Sequence, residues 1–321
     1  MIDTAKPVIG VFHSAPARLL PLIREAAPEA DVRVCTRWDE IAGILDDVEV
    51  LLAFKFGFKP FPRDAILAAP RLKWVQLASA GVDHMLPFDP ARLLVTNGSG
   101  LHGEIISQFV FGALAQLTWD FPRLLRQQAA HRWERYPVAS LSGKTMGILG
   151  IGSIGVCLAR YARVYGMRVI GTRRSGLPAE GVARTYAPDA TAEVLSRSDV
   201  IVVATPLTAE TRNLLGAAEL AAMPRSAYLV VISRGGVVSE PALVDALRQG
   251  QLAGAVLDVF TEEPLPADSP FWDLPNVIVT PHISGELSDW PMAVARLFAD
   301  NLKRYLSAEP LRNVVDPRRG Y

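Results

Sequence analysis

Cysteine is almost absent from this 321-residue chain. Cys35 and Cys157 stand far apart and offer neither a disulfide framework nor a paired zinc spacing, so two reduced packing thiols are expected. An excess of charge is lacking too. Thirty-three Lys and Arg balance thirty-three Asp and Glu with no basic cluster, which argues against a nucleic-acid partner. No apolar run approaches the ~20 residues that a membrane helix needs. Residues 1–11 are too short and too little apolar for a secretory signal, and a cytoplasmic protein with no membrane contact is expected. No His, Cys and carboxylate group has metal-ligand spacing, so no metal is expected. Internal repeats and low-complexity segments are missing as well.

What is present is a folding chain: half of its residues are hydrophobic and about a fifth are charged. Short apolar runs alternate with helix-period stretches, the pattern of βα repetition and parallel sheets. The first series places strands at 8–12, 32–35, 50–53, 74–77 and 93–96, with helices at 17–26 and 63–69 between them. A turn cluster, Asn97-Gly98-Ser99-Gly100, closes it. One long helix is expected over 102–130, then a loop over 137–143. A second series follows, with six strands at 145–150, 168–171, 200–204, 227–232, 253–257 and 277–280, and a terminal helix at 291–306.

The second series opens on Gly150-Ile151-Gly152-Ser153-Ile154-Gly155, directly after an apolar strand and before a helix. Gly150 suits the tight turn, Gly152 the approach of a diphosphate to the backbone, and Gly155 the packing of helix on strand. The helix start adds free N–H groups and partial positive charge. A dinucleotide site is expected here. An NAD site places Asp or Glu at the end of the next strand, ~20 residues on. Here that strand ends in Thr172-Arg173-Arg174-Ser175, without a carboxylate. Two guanidiniums and two hydroxyls suit a 2′-phosphate, so NADP(H) is expected in preference to NAD(H).

Three later segments each carry a polar residue where a strand ends: Ser233-Arg234-Gly235-Gly236, Glu262-Glu263-Pro264-Leu265-Pro266 and Pro281-His282-Ile283-Ser284-Gly285. Strand C-terminal ends line the ligand crevice of an open α/β sheet, so Arg234, Glu263 and His282 are expected to converge near a nicotinamide. These segments, in this order and after the phosphate loop, make the chain resemble the D-isomer-specific 2-hydroxyacid dehydrogenases. The likeness runs from Leu72-Lys73-Trp74-Val75-Gln76-Leu77 to Asn313-Val314-Val315-Asp316.

The resemblance implies two doubly wound parallel-sheet α/β domains. A Rossmann-type cofactor domain, 98–284, is inserted into a smaller split flavodoxin-like substrate domain, 1–97 plus 285–321. It also implies hydride transfer between NADP(H) and a small 2-keto or D-2-hydroxy acid, in a homodimer. In that chemistry Arg234 pairs with the substrate carboxylate and polarises the keto oxygen. His282 supplies the proton that the developing alkoxide needs, and Glu263 stabilises the imidazolium and orients its ring. The resemblance further assigns Ser79, Ala80 and Gly81 to the substrate. To the cofactor it assigns Thr205, Pro206, Thr211, Ile232, His282 and Gly285, with Asp258 facing the nicotinamide amide. Two positions depart from the family pattern: Val231 stands for a usual Asn and Gln108 for a usual Glu.

His84 and His102 are candidates for the cleft, and His13 and His131 are read as structural. Phe54, Phe56, Phe58, Trp133 and Trp290 are aromatic candidates on the substrate side. Two alternatives stand beside the reductase: a formate- or phosphite-type dehydrogenase of the same superfamily, and a non-catalytic NAD(P)-sensing protein. Formate enzymes of this kind carry Gln where Glu263 stands, and an intact Arg, Glu and His set favours turnover over sensing.

Overall fold

The computed structural model describes residues 6–54 and 60–320, so Phe56 and Phe58 lie outside the described residues. The chain divides into two compact units, Met1–Leu101 with Leu287–Tyr321, and His102–Glu286. No helix among the described residues is long and apolar enough to cross a membrane.

The first unit alternates β1 (Val8–Phe12), α1 (Leu20–Ala26), β2 (Asp31–Cys35), α2 (Ala42–Leu45), β3 (Val50–Ala53), α3 (Arg63–Ala68), β4 (Trp74–Leu77) and β5 (Leu94–Thr96). Its five described strands are parallel, in the order β2-β1-β3-β4-β5. This is the flavodoxin-like order. Residues Val50 to Ala53 are all buried, as a strand covered on both faces requires. The last helix of the chain, α10 (Trp290–Leu306), belongs to this unit and sets Val294, Ala295, Phe298 and Leu302 into the same core.

In the second unit α4 (Gly103–Thr118) and α5 (Phe121–Ala129) precede β6 (Thr145–Leu149), α6 (Ser153–Val164), β7 (Arg168–Thr172) and β8 (Arg184–Tyr186). Then come α7 (Thr191–Ser196), β9 (Val200–Val203), α8 (Ala217–Ala221), β10 (Tyr228–Val231), α9 (Glu240–Arg248), β11 (Gly254–Leu257) and β12 (Val277–Val279). All pair in parallel, in the order β12-β11-β10-β9-β6-β7-β8. Counted from β6, this is the Rossmann order with one more strand at the far edge. Alternate residues of β9 enter different cores: Ile201 and Val203 on one face, Val200 and Val202 on the other. That two-sided burial explains the unbroken apolar runs of the sequence, each such side chain contributing about 1.5–3 kcal/mol.

Two expectations are corrected. The sheet has seven described strands rather than six, because β8 is a three-residue edge strand whose Arg184-Thr185-Tyr186 carries no apolar run. The helix expected over 102–130 is two helices. The chain turns at Asp120, in the left-handed region at φ 49°, and the Asp120 side chain caps α5 by accepting the Arg123 N–H. Pro122 opens α5, where its missing N–H is harmless.

Candidate active site

The phosphate loop leaves β6 where strand order reverses, between β6 and β9. Gly150 is in the left-handed region at φ 94°, and a Cβ there would stand 2.7 Å from the Thr205 backbone nitrogen. Only glycine fits that turn. The Thr172 carbonyl accepts both the Gly150 and Ile151 N–H groups, fixing the loop to the end of β7. Gly152 differs: a Cβ there would meet no protein atom within 4 Å. The space beside it is open, and Ser153, Ile154 and Gly155 begin α6 with no side-chain cap. Open space before an uncapped twelve-residue helix fits a diphosphate.

At the end of β7 the Thr172 hydroxyl is buried and faces the Gly150 N–H, not the space beyond the strand. Arg173 donates to the Pro178 carbonyl at 3.4 Å, and the Ser175 hydroxyl accepts the Leu177 N–H. Arg174 pairs with Glu210, from the loop after β9, at 3.5 Å. In that loop the Thr211 hydroxyl donates to the Pro206 carbonyl at 2.6 Å and accepts the Thr208 N–H at 2.8 Å. Ile232, past β10, is buried in the core.

Arg234 follows β10, Glu263 follows β11 and His282 follows β12. His282 Nδ1 and Glu263 Oε2 are 2.8 Å apart, and Glu263 Oε1 accepts the Phe260 N–H at 3.0 Å. Burial by itself would raise the Glu263 pKa. The hydrogen bonds from His282 and Phe260, with the charges of His282 and Arg234, outweigh it and hold the carboxyl below its ordinary range. The segments of Arg234 and Glu263 are pressed together. A Cβ on Gly235 would lie 2.0 Å from the Phe260 carbonyl carbon, so that position admits no side chain.

His282 is itself in the left-handed region at φ 55°, a cost of roughly 1–2 kcal/mol for a residue with a Cβ. Asp258, fully buried, holds that turn. Its Oδ1 accepts from the Thr280 hydroxyl at 2.6 Å and the Ile283 N–H at 2.9 Å, and its Oδ2 from the Ser284 N–H at 3.0 Å. Gly285 comes next, where a Cβ would press on the His102 ring at 3.2 Å.

Comparison with known proteins gives the family. Residues 111–284 match the family model described as D-isomer specific 2-hydroxyacid dehydrogenase, NAD binding domain. The chain is 43% identical over 265 residues to a glyoxylate/hydroxypyruvate reductase B of Pectobacterium carotovorum, covering 80% of this chain and 82% of that protein. This chain belongs to the D-isomer specific 2-hydroxyacid dehydrogenase family. Within the family it is also similar to the D-3-phosphoglycerate dehydrogenase of Methanocaldococcus jannaschii, at 32% identity over 92% of this chain, although it spans only 56% of that longer protein. A D-isomer specific 2-hydroxyacid dehydrogenase of Xanthobacter autotrophicus, solved with NADPH and MES, superposes with a TM-score of 0.83 at 34% identity, covering 99% of this chain and 100% of that one.

The remaining candidates of this dehydrogenase fall into distinct settings. Ser79, Ala80 and Gly81 form a turn after β4. The Ser79 hydroxyl donates to the Gly81 carbonyl, the Asn97 amide to the Ala80 carbonyl, and the Gly98 N–H to the Ser79 carbonyl. Phe54 is fully buried and is core; it meets His13 edge-on at 4.6 Å and Trp290 at 5.4 Å. His84 stacks edge-on against Phe61. Burial pushes His13 and His102 below the ordinary histidine range. Trp133 is 94% exposed. Cys35 and Cys157 are free, and burial raises both thiols. Sequence reasoning passed over Thr280, Glu210 and Glu240, whose carboxylate accepts the Thr261 N–H at 2.6 Å. Each acts across a gap in sequence that no local motif records.

Proposed function

We propose that this dehydrogenase is an NADP(H)-dependent reductase of small 2-keto acids. The observation that carries the proposal is the 2.8 Å contact of His282 Nδ1 with Glu263, made beside Arg234 where neighbouring parallel strands end. With Nδ1 held by a carboxylate, Nε2 is the nitrogen left to give a proton to a developing alkoxide and to take it back in oxidation. Arg234 offers a planar fork to the substrate carboxylate and draws charge from the keto oxygen. Bound nicotinamide would supply the hydride. Gly150, Gly152, Ser153, Ile154 and Gly155 would hold its diphosphate, Arg173 and Arg174 the 2′-phosphate, and Thr205, Pro206, Thr211 and Ile232 the rest of the dinucleotide. Ser79, Ala80 and Gly81 belong to substrate binding in this reading.

Two relatives support it: the Pectobacterium protein is a glyoxylate/hydroxypyruvate reductase, and the Xanthobacter structure holds NADPH. The test is loss of NADPH absorbance with glyoxylate or hydroxypyruvate. No keto-acid-dependent consumption of NADPH or NADH would sink the reading, and NADP reduction by phosphite without keto-acid turnover would replace it.

Self-association is part of the proposal. Trp119, just past α4, Phe121 and Leu125 on α5, and Val164 and Tyr165 at and just past the end of α6 are 43% to 83% exposed. An apolar surface of this kind suits a two-fold contact with a second copy. A monomer by light scattering at micromolar concentration would remove it.

A further inference from the structure

We propose that Glu210 sets how strongly the cofactor site prefers a 2′-phosphate over a 2′-hydroxyl, acting as a brake on NADP(H). The inference rests on the reading that Arg173 and Arg174 hold that phosphate. No carboxylate ends β7, yet one from another loop meets the guanidinium of Arg174. Glu210 lies 3.5 Å from the Arg174 guanidinium, with its side chain 80% exposed. The loop that carries it is tied down, since Thr211 bonds both the Pro206 carbonyl and the Thr208 N–H. The Arg173 segment is tied as well, through Gly176 N–H to the Arg173 carbonyl and Arg173 N–H to the Tyr186 carbonyl. Both backbones are therefore hydrogen-bonded where they carry the pair.

The chemistry then has a sign. A phosphate arriving at Arg174 brings nearly two negative charges beside a carboxylate already there. The guanidinium must share itself between two anions or release one. A ribose 2′-hydroxyl is a donor as well as an acceptor, so Glu210 can accept from it, the role that the strand-end Asp or Glu plays in an NAD site. Glu210 therefore opposes the phosphate and tolerates the hydroxyl. The site is a compromise between the two cofactors, with the arginines pulling one way and Glu210 the other.

The test is calorimetric binding to the full chain of NADPH and NADH, and of the fragments adenosine 2′,5′-bisphosphate and adenosine 5′-monophosphate. Glu210→Gln keeps size and polarity and should tighten NADPH and the bisphosphate by about 3–10-fold at low salt, the scale of one exposed charge pair. NADH and the monophosphate should bind no tighter than before, and the gain should shrink as salt rises. A bisphosphate affinity that is unchanged or weakened in Glu210→Gln overturns the brake, as does an equal gain for both fragments. The Arg173→Ala, Arg174→Ala double variant separates this inference from its foundation. If that variant binds the bisphosphate as tightly as the unaltered protein, the phosphate reading fails, whatever Glu210 does. If it loses the bisphosphate while Glu210→Gln gains nothing, only the brake fails. Equal melting temperatures across the three proteins check that the substitutions leave the fold intact.

Discussion

In the first unit, the polar groups near the sheet are turned inward and answered there. Trp74 Nε1 donates to Thr96 Oγ1, Thr96 donates to Gln76 Oε1, and Asn301 joins Gln76 to the backbone of Arg312. Gln76, Thr96 and Asn301 are fully buried. In His102–Glu286 the polar groups gather past the last residues of β10, β11 and β12, and Glu263 and His282 keep part of their surface open. The same parallel architecture thus uses polar side chains in two ways. Buried and mutually satisfied, they fix which strands and helix belong together. Half-open at strand ends, they are tied to one another and still face solvent. Substitutions in the two sets should therefore separate stability from turnover.

The sharpest break is His282→Ala, which should lower kcat by roughly 10²–10⁴ while cofactor affinity stays near normal. Near-normal turnover would move the proton to another group and dissolve the contrast at its centre. Next comes Arg234→Lys. One ammonium replaces a two-pronged contact, so KM and kcat should both worsen, together by roughly tenfold or more. Full activity in that variant would make Arg234 a diffuse charge only.

Glu263→Gln sharpens the comparison through pH. Its carboxyl sits below its ordinary range, so it stays ionised through neutral and mildly acid solution. Removing that charge takes away the partner of the imidazolium, and the limb at which keto-acid reduction fades should move to lower pH. An unmoved limb at saturating substrate would uncouple the pair. The same depressed pKa has a second sign. Stabilisation from the ionised carboxylate is present above the unfolded value of about 4.3 and is lost as pH falls through the lower folded one. The share of the stability difference between the unaltered and Gln proteins that comes from this ionised carboxylate should therefore be present above about pH 4.3 and shrink as pH falls below it, as denaturant unfolding would read.

The smallest effect on turnover belongs to Asn301→Ala. It leaves buried partners unanswered and should cost about 1–3 kcal/mol, a drop of several degrees in melting temperature. Turnover of the folded enzyme should hardly change. A large fall in kcat with an unchanged melting temperature would reverse the assignment of the two polar sets.

Much of this was legible in the sequence. Apolar runs such as 200–203 marked strands because both faces of each sheet are covered, and the ordered Arg, Glu and His segments marked strand ends. Two elements escaped for local reasons. β8 is a short edge that needs no apolar pattern, and the break at Asp120 carries no glycine, although Pro122 signalled the start of a new helix. The clamps escaped for a different reason. Asp258 meets Thr280 and Ser284, Glu240 meets Thr261, and Arg174 meets Glu210 only once the strands between them have been laid side by side.

The buried Asp258 carboxylate has a consequence for how the protein exchanges hydrogen with solvent. Loop amides ordinarily exchange fast, because local opening costs little. Ile283 and Ser284 lie in a loop, but their N–H groups end on Asp258, which sits at the end of β11 and has no exposed surface. To release them, the end of that strand has to move. These two amides should therefore persist in deuterated buffer about as long as the amides of β11 itself, while those of the exposed Leu287 and Ser288 vanish early. On a protection map, the residue beside them, His282, would stand in a loop that opens only with the core.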